Sequence, residues 1–145
     1  MSKKRYYTLP MELGKITSKD IHKTCELKES VAQYIHLITT TYFGEYRIDQ
    51  DFGCSIWEFD FDNSITNNQL KENFKKSLTL ALNKYEKRLS NIDVSISILQ
   101  VEFNDFLRNK RVKKKIELEV RATLTHTNER FRFFEYFYLG PLSYY

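Results

Sequence analysis

L-T-L-A-L-N-K-Y-E-K-R-L-S-N-I-D-V-S-I-S-I, residues 78 to 98, changes its apolar period midway, and that change decides the fold. Upstream of the switch, Leu70, Phe74, Leu78, Ala81, Leu82, Tyr85 and Leu89 recur in steps of three and four, one stripe of a helix. Thr66 and Gln69 have the spacing of a capping box, in which each side chain satisfies the other's backbone N–H, and they predict where the helix starts. Downstream the period is two: Ile92, Val94, Ile96 and Ile98 point one way, with Asp93, Ser95 and Ser97 the other. Leu99 breaks the phase, and Val101 and Phe103 restart it on the opposite parity, which predicts a bulge.

Two further runs extend the strand pattern. Ile116, Leu118, Val120, Ala122 and Leu124 alternate with Glu117, Glu119, Arg121 and Thr123, and Phe131 to Leu139 makes a third strand before Gly140-Pro141. Short polar turns join the runs, so they form an antiparallel meander with one wet face. The other face needs a cover. Leu27, Val31, Tyr34, Ile35, Ile38 and Tyr42 lie at helical spacing and predict a helix over about 28–41, with Gly44 following as its cap. The fold class is therefore α+β: a meander of three or more strands with two main helices packed on one face. Residues 1–27 read as an N-terminal arm without a clean period, 28–140 as a single domain, and 141–145 as a C-terminal tail. Between the helices, 45–62 read as a compact loop with a short strand or turn.

Composition narrows the function. The chain has 145 residues, four Gly and two Pro, which leaves little for a flexible linker. Met-Ser-Lys-Lys-Arg is followed by no apolar stretch and so is not a secretory signal. No run is long and apolar enough to span a bilayer. Cys25 and Cys54 have no C-x-x-C partner and read as reduced thiols. A soluble cytoplasmic domain is expected, without direct membrane insertion. The net charge of +4 is unevenly placed: residues 108–115, R-N-K-R-V-K-K-K, hold six cations. Such a cluster raises nucleic acid or an anionic membrane as a partner; the blander reading, a solvated turn between strands, is preferred.

Catalytic chemistry finds little support. Asp60 and Asp62 in F-D-F-D-N, with Glu58 nearby, form the one carboxylate pair that could serve a glycosidase, yet nothing around them supplies an enclosing pocket. His22, His36 and His126 are scattered, with no H-x-x-x-H pair, so no metal site is expected. No glycine-rich phosphate loop and no G-x-S-x-G elbow occur. No catalytic residue, cofactor or small-molecule substrate is expected.

Two features ask for partners instead. Glu86 and Arg88 lie at the end of the long helix, two apart and so about 200° round it, where they cannot easily pair with each other. An acidic side chain there also opposes the helix dipole. Either both are solvated, or Glu86 meets a strand residue such as Arg121, or they find partners on another chain. The last fifteen residues hold eight aromatics. Phe131, Phe133, Phe134, Tyr136 and Tyr138 cannot all face one core, and an aromatic edge strand invites pairing with another chain unless the arm and first helix cover it.

The local motifs resemble the baseplate-wedge family of contractile injection machines. That family includes the small wedge protein of phage tails and TssE of type VI secretion, and is at times labelled lysozyme-like. Its pattern runs roughly G-E-R-x-x-x-P-x-F-G and later E-P-R. Gly44, Glu45, Phe52, Gly53, Glu86 and Arg88 match in identity and spacing. Tyr46, Gln50 and Lys87 depart from it, standing where the family has Arg, Pro and Pro. The resemblance implies a structural subunit, most readily of type VI secretion, that joins the wedge core to the first sheath ring. Its implied partners are other wedge subunits (TssF/TssG-like), docked at Glu86 and Arg88, and sheath subunits along a sheet edge. From the residues alone, Gly44 supplies a positive φ, Phe52 enters the core, Gly53 lets the backbone pass close to a neighbour, and Glu45 and Arg47 stay open. Trp57 reads as an anchor beneath the loop. A nucleic-acid-binding domain using 108–115 is the alternative, and a glycan hydrolase the third reading.

Overall fold

The structure is a computed structural model and describes residues 4–59, 64–104 and 110–139. The arm, which has no clean period in sequence, is a small clip: strand β1 (Tyr6–Tyr7) pairs antiparallel with β2 (Thr24–Cys25), and the short helix α1 (Leu13–Thr17) lies between them. Polar contacts that leave no periodic trace hold it. The His22 ring accepts from the Glu12 N–H at 2.9 Å and donates to Lys23 O at 2.8 Å, and Leu9 N–H donates to Gln33 Oε1 at 2.8 Å.

Helix α2 (Leu27–Thr40) forms as its stripe predicts and buries Val31, Ile35, Ile38 and Thr39. Its end differs from expectation. Thr41 caps it in an extended conformation, while the Thr39 and Thr40 hydroxyls return to His36 O at 2.9 and 2.7 Å. Side-chain hydroxyls thus bond back to a carbonyl of the preceding turn. Gly44 does have a positive φ of 80°, but in a turn beyond the helix. Residues 55–59 form one 3₁₀ helix (Ser55–Phe59) rather than a strand.

Helix α3 (Asn67–Tyr85) opens on the capping box: Gln69 N–H reaches Thr66 Oγ1 at 3.2 Å and Thr66 N–H reaches Gln69 Oε1 at 3.1 Å. It buries Leu70, Phe74, Leu78, Ala81 and Leu82, then stops at Tyr85. Leu89 continues the helical spacing by coincidence; it belongs to β3 (Leu89–Asn104), opposite Leu124.

Strands β3, β4 (Lys110–Leu124) and β5 (Arg130–Leu139) form the expected meander in the order β3-β4-β5. The bulge sits elsewhere than predicted. Register shifts between Ser90 and Asp93, where Asn91 has a φ of 49°, and then holds through Asn104. One extra residue lets Leu89 and Val94, five apart, both point at the helices. Leu99 breaks no ladder. It lies 48% exposed on the outer face.

The basic segment is also corrected. Lys110 to Lys115 are not a turn but the start of β4, paired with Leu99 to Asn104, whereas 108–109 lie outside the described residues. The core lies between the helices and the inner sheet face, where Ile96, Ile116, Leu118 and Val120 meet Phe74, Leu78 and Ile35. Burying side chains of this size contributes about 1.5–3 kcal/mol each.

Candidate docking surfaces

The end of α3 decides what Glu86 and Arg88 do. Glu86 has left helical geometry, with φ −101° and ψ 82°. The 200° separation that kept the two side chains apart therefore does not apply. Arg88 clasps Glu86 with two parallel bonds, Nε to Oε1 at 2.8 Å and a terminal nitrogen to Oε2 at 2.6 Å, and its own N–H adds a third to Oε1 at 3.0 Å. The expectation of two unpaired charges is overturned. Its premise, a helix running on through Arg88, fails.

Glu86 is 2% exposed. The other guanidinium nitrogen donates to Ser30 on α2 at 2.8 Å, and the guanidinium carbon lies 5.3 Å from the Tyr6 ring centre. Hydrogen bonding to Glu86, outweighing burial, holds the guanidinium above its ordinary pKa. The pair thus ties α3, α2 and the arm together, with Arg88 its half-buried outer member.

The motif loop lies between α2 and the 3₁₀ helix. Gly44 N–H bonds Gln50 O at 2.8 Å, Glu45 Oε2 accepts from Tyr42 N–H at 2.9 Å, and Cys54 N–H bonds Thr41 O at 3.2 Å. Gly53 has a φ of 126°, and a Cβ there would stand 2.5 Å from Thr41 O. Its close approach to a neighbouring backbone was legible in the sequence. Phe52 is half-buried beside the core, with ring centres of Tyr85, Tyr46 and Tyr34 at 5.0, 5.9 and 6.1 Å. Glu45 and Arg47 are both exposed.

Sequence reasoning missed Asp49. It accepts from the Tyr85 hydroxyl at 2.8 Å and from Asp51 N–H at 3.1 Å, and the Tyr85 bond lowers its pKa. The D-x-D spacing was the available signal, since Asp bonds backbone two residues on. Trp57 anchors the loop as expected, donating to Thr39 O at 2.8 Å. Cys54 is buried beside it, its thiol pushed up to about 12 chiefly by desolvation.

Strand β5 divides the predicted edge aromatics by parity. Phe131 is buried and Phe133 half-buried, facing the helices, whereas Phe134, Tyr136 and Tyr138 line the outer face at 58, 53 and 43% exposure. Among the described residues these rings stay exposed, although Phe134 lines a groove with Leu9 and Pro10 of the arm and with α2. Lys115 Nζ lies 4.7 Å from the Tyr136 ring centre and 2.7 Å from Glu117. Facing the helices between the inner aromatics, Glu135 accepts from the Thr39 hydroxyl at 3.1 Å and pairs with His36. Both β3 and β5 are edges of their sheet.

Asp60 and Asp62 lie outside the described residues. The three histidines stay apart: His22 is held in the arm, His36 pairs with Glu135, and His126 is exposed in the β4–β5 turn. Among the described residues no group of three His, Cys, Asp or Glu could hold a metal ion. None of their helices is long and apolar enough to cross a membrane.

A crystal structure from Geobacter sulfurreducens, of a protein described as a candidate tail lysozyme, superimposes with a TM-score of 0.57 at 22% identity. The match covers 85% of this chain and all of that one, and it supports the fold alone. No curated protein matches. The profile of the baseplate wedge protein gp25 family matches residues 25–129, from β2 through the β4–β5 turn, and takes in the motif loop, the Glu86–Arg88 clasp and the bulged strand. The chain belongs to the baseplate wedge protein gp25 family.

Proposed function

We propose that the chain is a non-enzymatic structural subunit of the baseplate wedge of a contractile injection system of the type VI class, and that it joins the wedge core to the first ring of the sheath. Family membership over residues 25–129 is the observation that carries this reading. Two surfaces divide the work. Wedge subunits of the TssF/TssG kind dock at the end of α3, where buried Glu86 aims Arg88 and so sets the surface they meet. Sheath subunits meet the free edge of β5, where an incoming strand gains main-chain hydrogen bonds and buries against Phe134, Tyr136 and Tyr138. The exposure of these three rings supports that assignment.

The joint variant Phe134→Lys with Tyr136→Lys tests the edge, because it charges exposed positions without touching the core. It should fold, by circular dichroism, and fail to seed sheath assembly. Seeding at the wild-type rate would remove β5 from the sheath contact. The non-enzymatic reading is tested on peptidoglycan: turnover lost specifically in Asp60→Asn or Asp62→Asn would overturn it.

A further inference from the structure

The motif loop leaves an open groove of about 560 Å³ beside the end of α3. Its walls include the rings of Tyr34, Tyr46, Phe52 and Tyr85, and Glu45 and Asp49 add carboxylates to the lining. The rings are arranged about Phe52, tilted or edge-on to it, so their faces turn in several directions. Among the described residues, no Lys, Arg or His forms an ion pair with Glu45 or Asp49, although Arg47 lies in the same loop. Two carboxylates therefore stand beside aromatic rings, and among the described residues Lys84, at the Tyr85 side, acts on Asp49 without forming an ion pair with it.

The surroundings already attract a cation. Lys84 Nζ sits 4.8 Å from the Tyr85 ring centre and 3.6 Å from Asp51. Its pKa is raised, first by the Tyr85 hydroxyl and then by Asp49 and Asp51. An aromatic face draws a cation through its quadrupole, and a flanking carboxylate adds to the pull. Guanidinium suits such a place better than ammonium: it is planar, it stacks, and it offers carboxylates two parallel donors. The volume leaves room for a presenting backbone as well as one side chain.

We propose that this groove receives an arginine side chain presented by a partner subunit of the wedge, its guanidinium stacked on the Tyr46 ring and paired with Glu45 and Asp49. The partner's identity rests on the function proposed above; the preference for guanidinium rests on the groove itself. Glu45 thereby gains a role at the surface, complementary to that of the buried Glu86.

The test uses the full chain and a defined probe, N-acetyl-arginine methylamide, with its uncharged citrulline counterpart as control. Titration followed by NMR should shift the Glu45, Tyr46, Asp49, Phe52 and Tyr85 resonances saturably with the arginine compound. The citrulline compound should not do so. Glu45→Gln with Asp49→Asn keeps the acceptors for Tyr42 N–H and the Tyr85 hydroxyl but removes both charges; it should weaken the probe roughly ten-fold or more. No saturable shift, equal shifts with citrulline, or an unchanged variant overturns the proposal. A second arm measures recovery of wedge subunits on the tagged chain, which the double variant should lower by about the same factor. Recovery at the wild-type level also overturns it. A wild-type chain that recovers no wedge subunit defeats the functional reading instead, and the probe arm still decides whether the groove takes guanidinium.

Discussion

Glu86 and Glu45 both lie in the short stretches that resemble the wedge family's motifs, yet the fold treats them in opposite ways. Glu86 is buried at the end of α3 and takes three bonds from Arg88, while Glu45 is exposed and bonds one backbone N–H. The difference follows from desolvation. A carboxylate can be withdrawn from water only if its charge is matched within the same chain, whereas one at the surface can wait for a cation from outside. A motif match therefore marks two kinds of residue, one that builds the surface and one that is offered on it.

The largest expected effect breaks the buried half of that contrast. Glu86→Ala strips the partner from a half-buried guanidinium and should destabilise the isolated chain by about 3–5 kcal/mol, measured by urea unfolding. Glu45→Gln should change stability by less than about 0.5 kcal/mol, as surface substitutions do. Near-equal losses would show that burial does not separate the two motifs.

The motif loop offers the next test. In Gly53→Ala the new Cβ meets the Thr41 carbonyl oxygen at 2.5 Å and sits at a positive φ, so a loss of about 1–3 kcal/mol is expected. Gly44→Ala, also at positive φ but with open space around its Cβ, should cost less. A reversed order would mean that the loop can shift away from Thr41.

The smallest effect is the acid response of Asp49. Its folded-state pKa lies below the ordinary 3.8, chiefly through the Tyr85 hydroxyl, so the unfolded chain takes up this proton first. The stability it adds is complete above the unfolded value and is lost as pH falls through the folded one. Tyr85→Phe should flatten this part of the stability profile below the ordinary 3.8. An unchanged acid limb would show that the hydroxyl does not hold the carboxylate.

Much of the fold was legible because it rests on periodicity. The two long helices, the three strands and the capping box follow from spacings of two, three and four within one segment. Errors arose where one residue fits two periods. Leu89 continues the helical stripe and also begins the strand, and Leu99 and Val101 looked like a phase change although they only lie on the outer face of an unbroken ladder. The bulge at Asn91 left a weaker trace, a residue type that tolerates positive φ.

Local conformation and parity along one strand already specify the α+β class, the meander, the motif loop with its close-packed Gly53, and the surplus of aromatics on β5. Which charges are matched and which are left open is set by tertiary packing. Arg88 reaches Glu86 because the helix ends at Tyr85, and the aromatic groove exists because α2, the motif loop and the end of α3 converge. Pairing and burial depend on distances between segments far apart in the chain, and no local spacing encodes those distances.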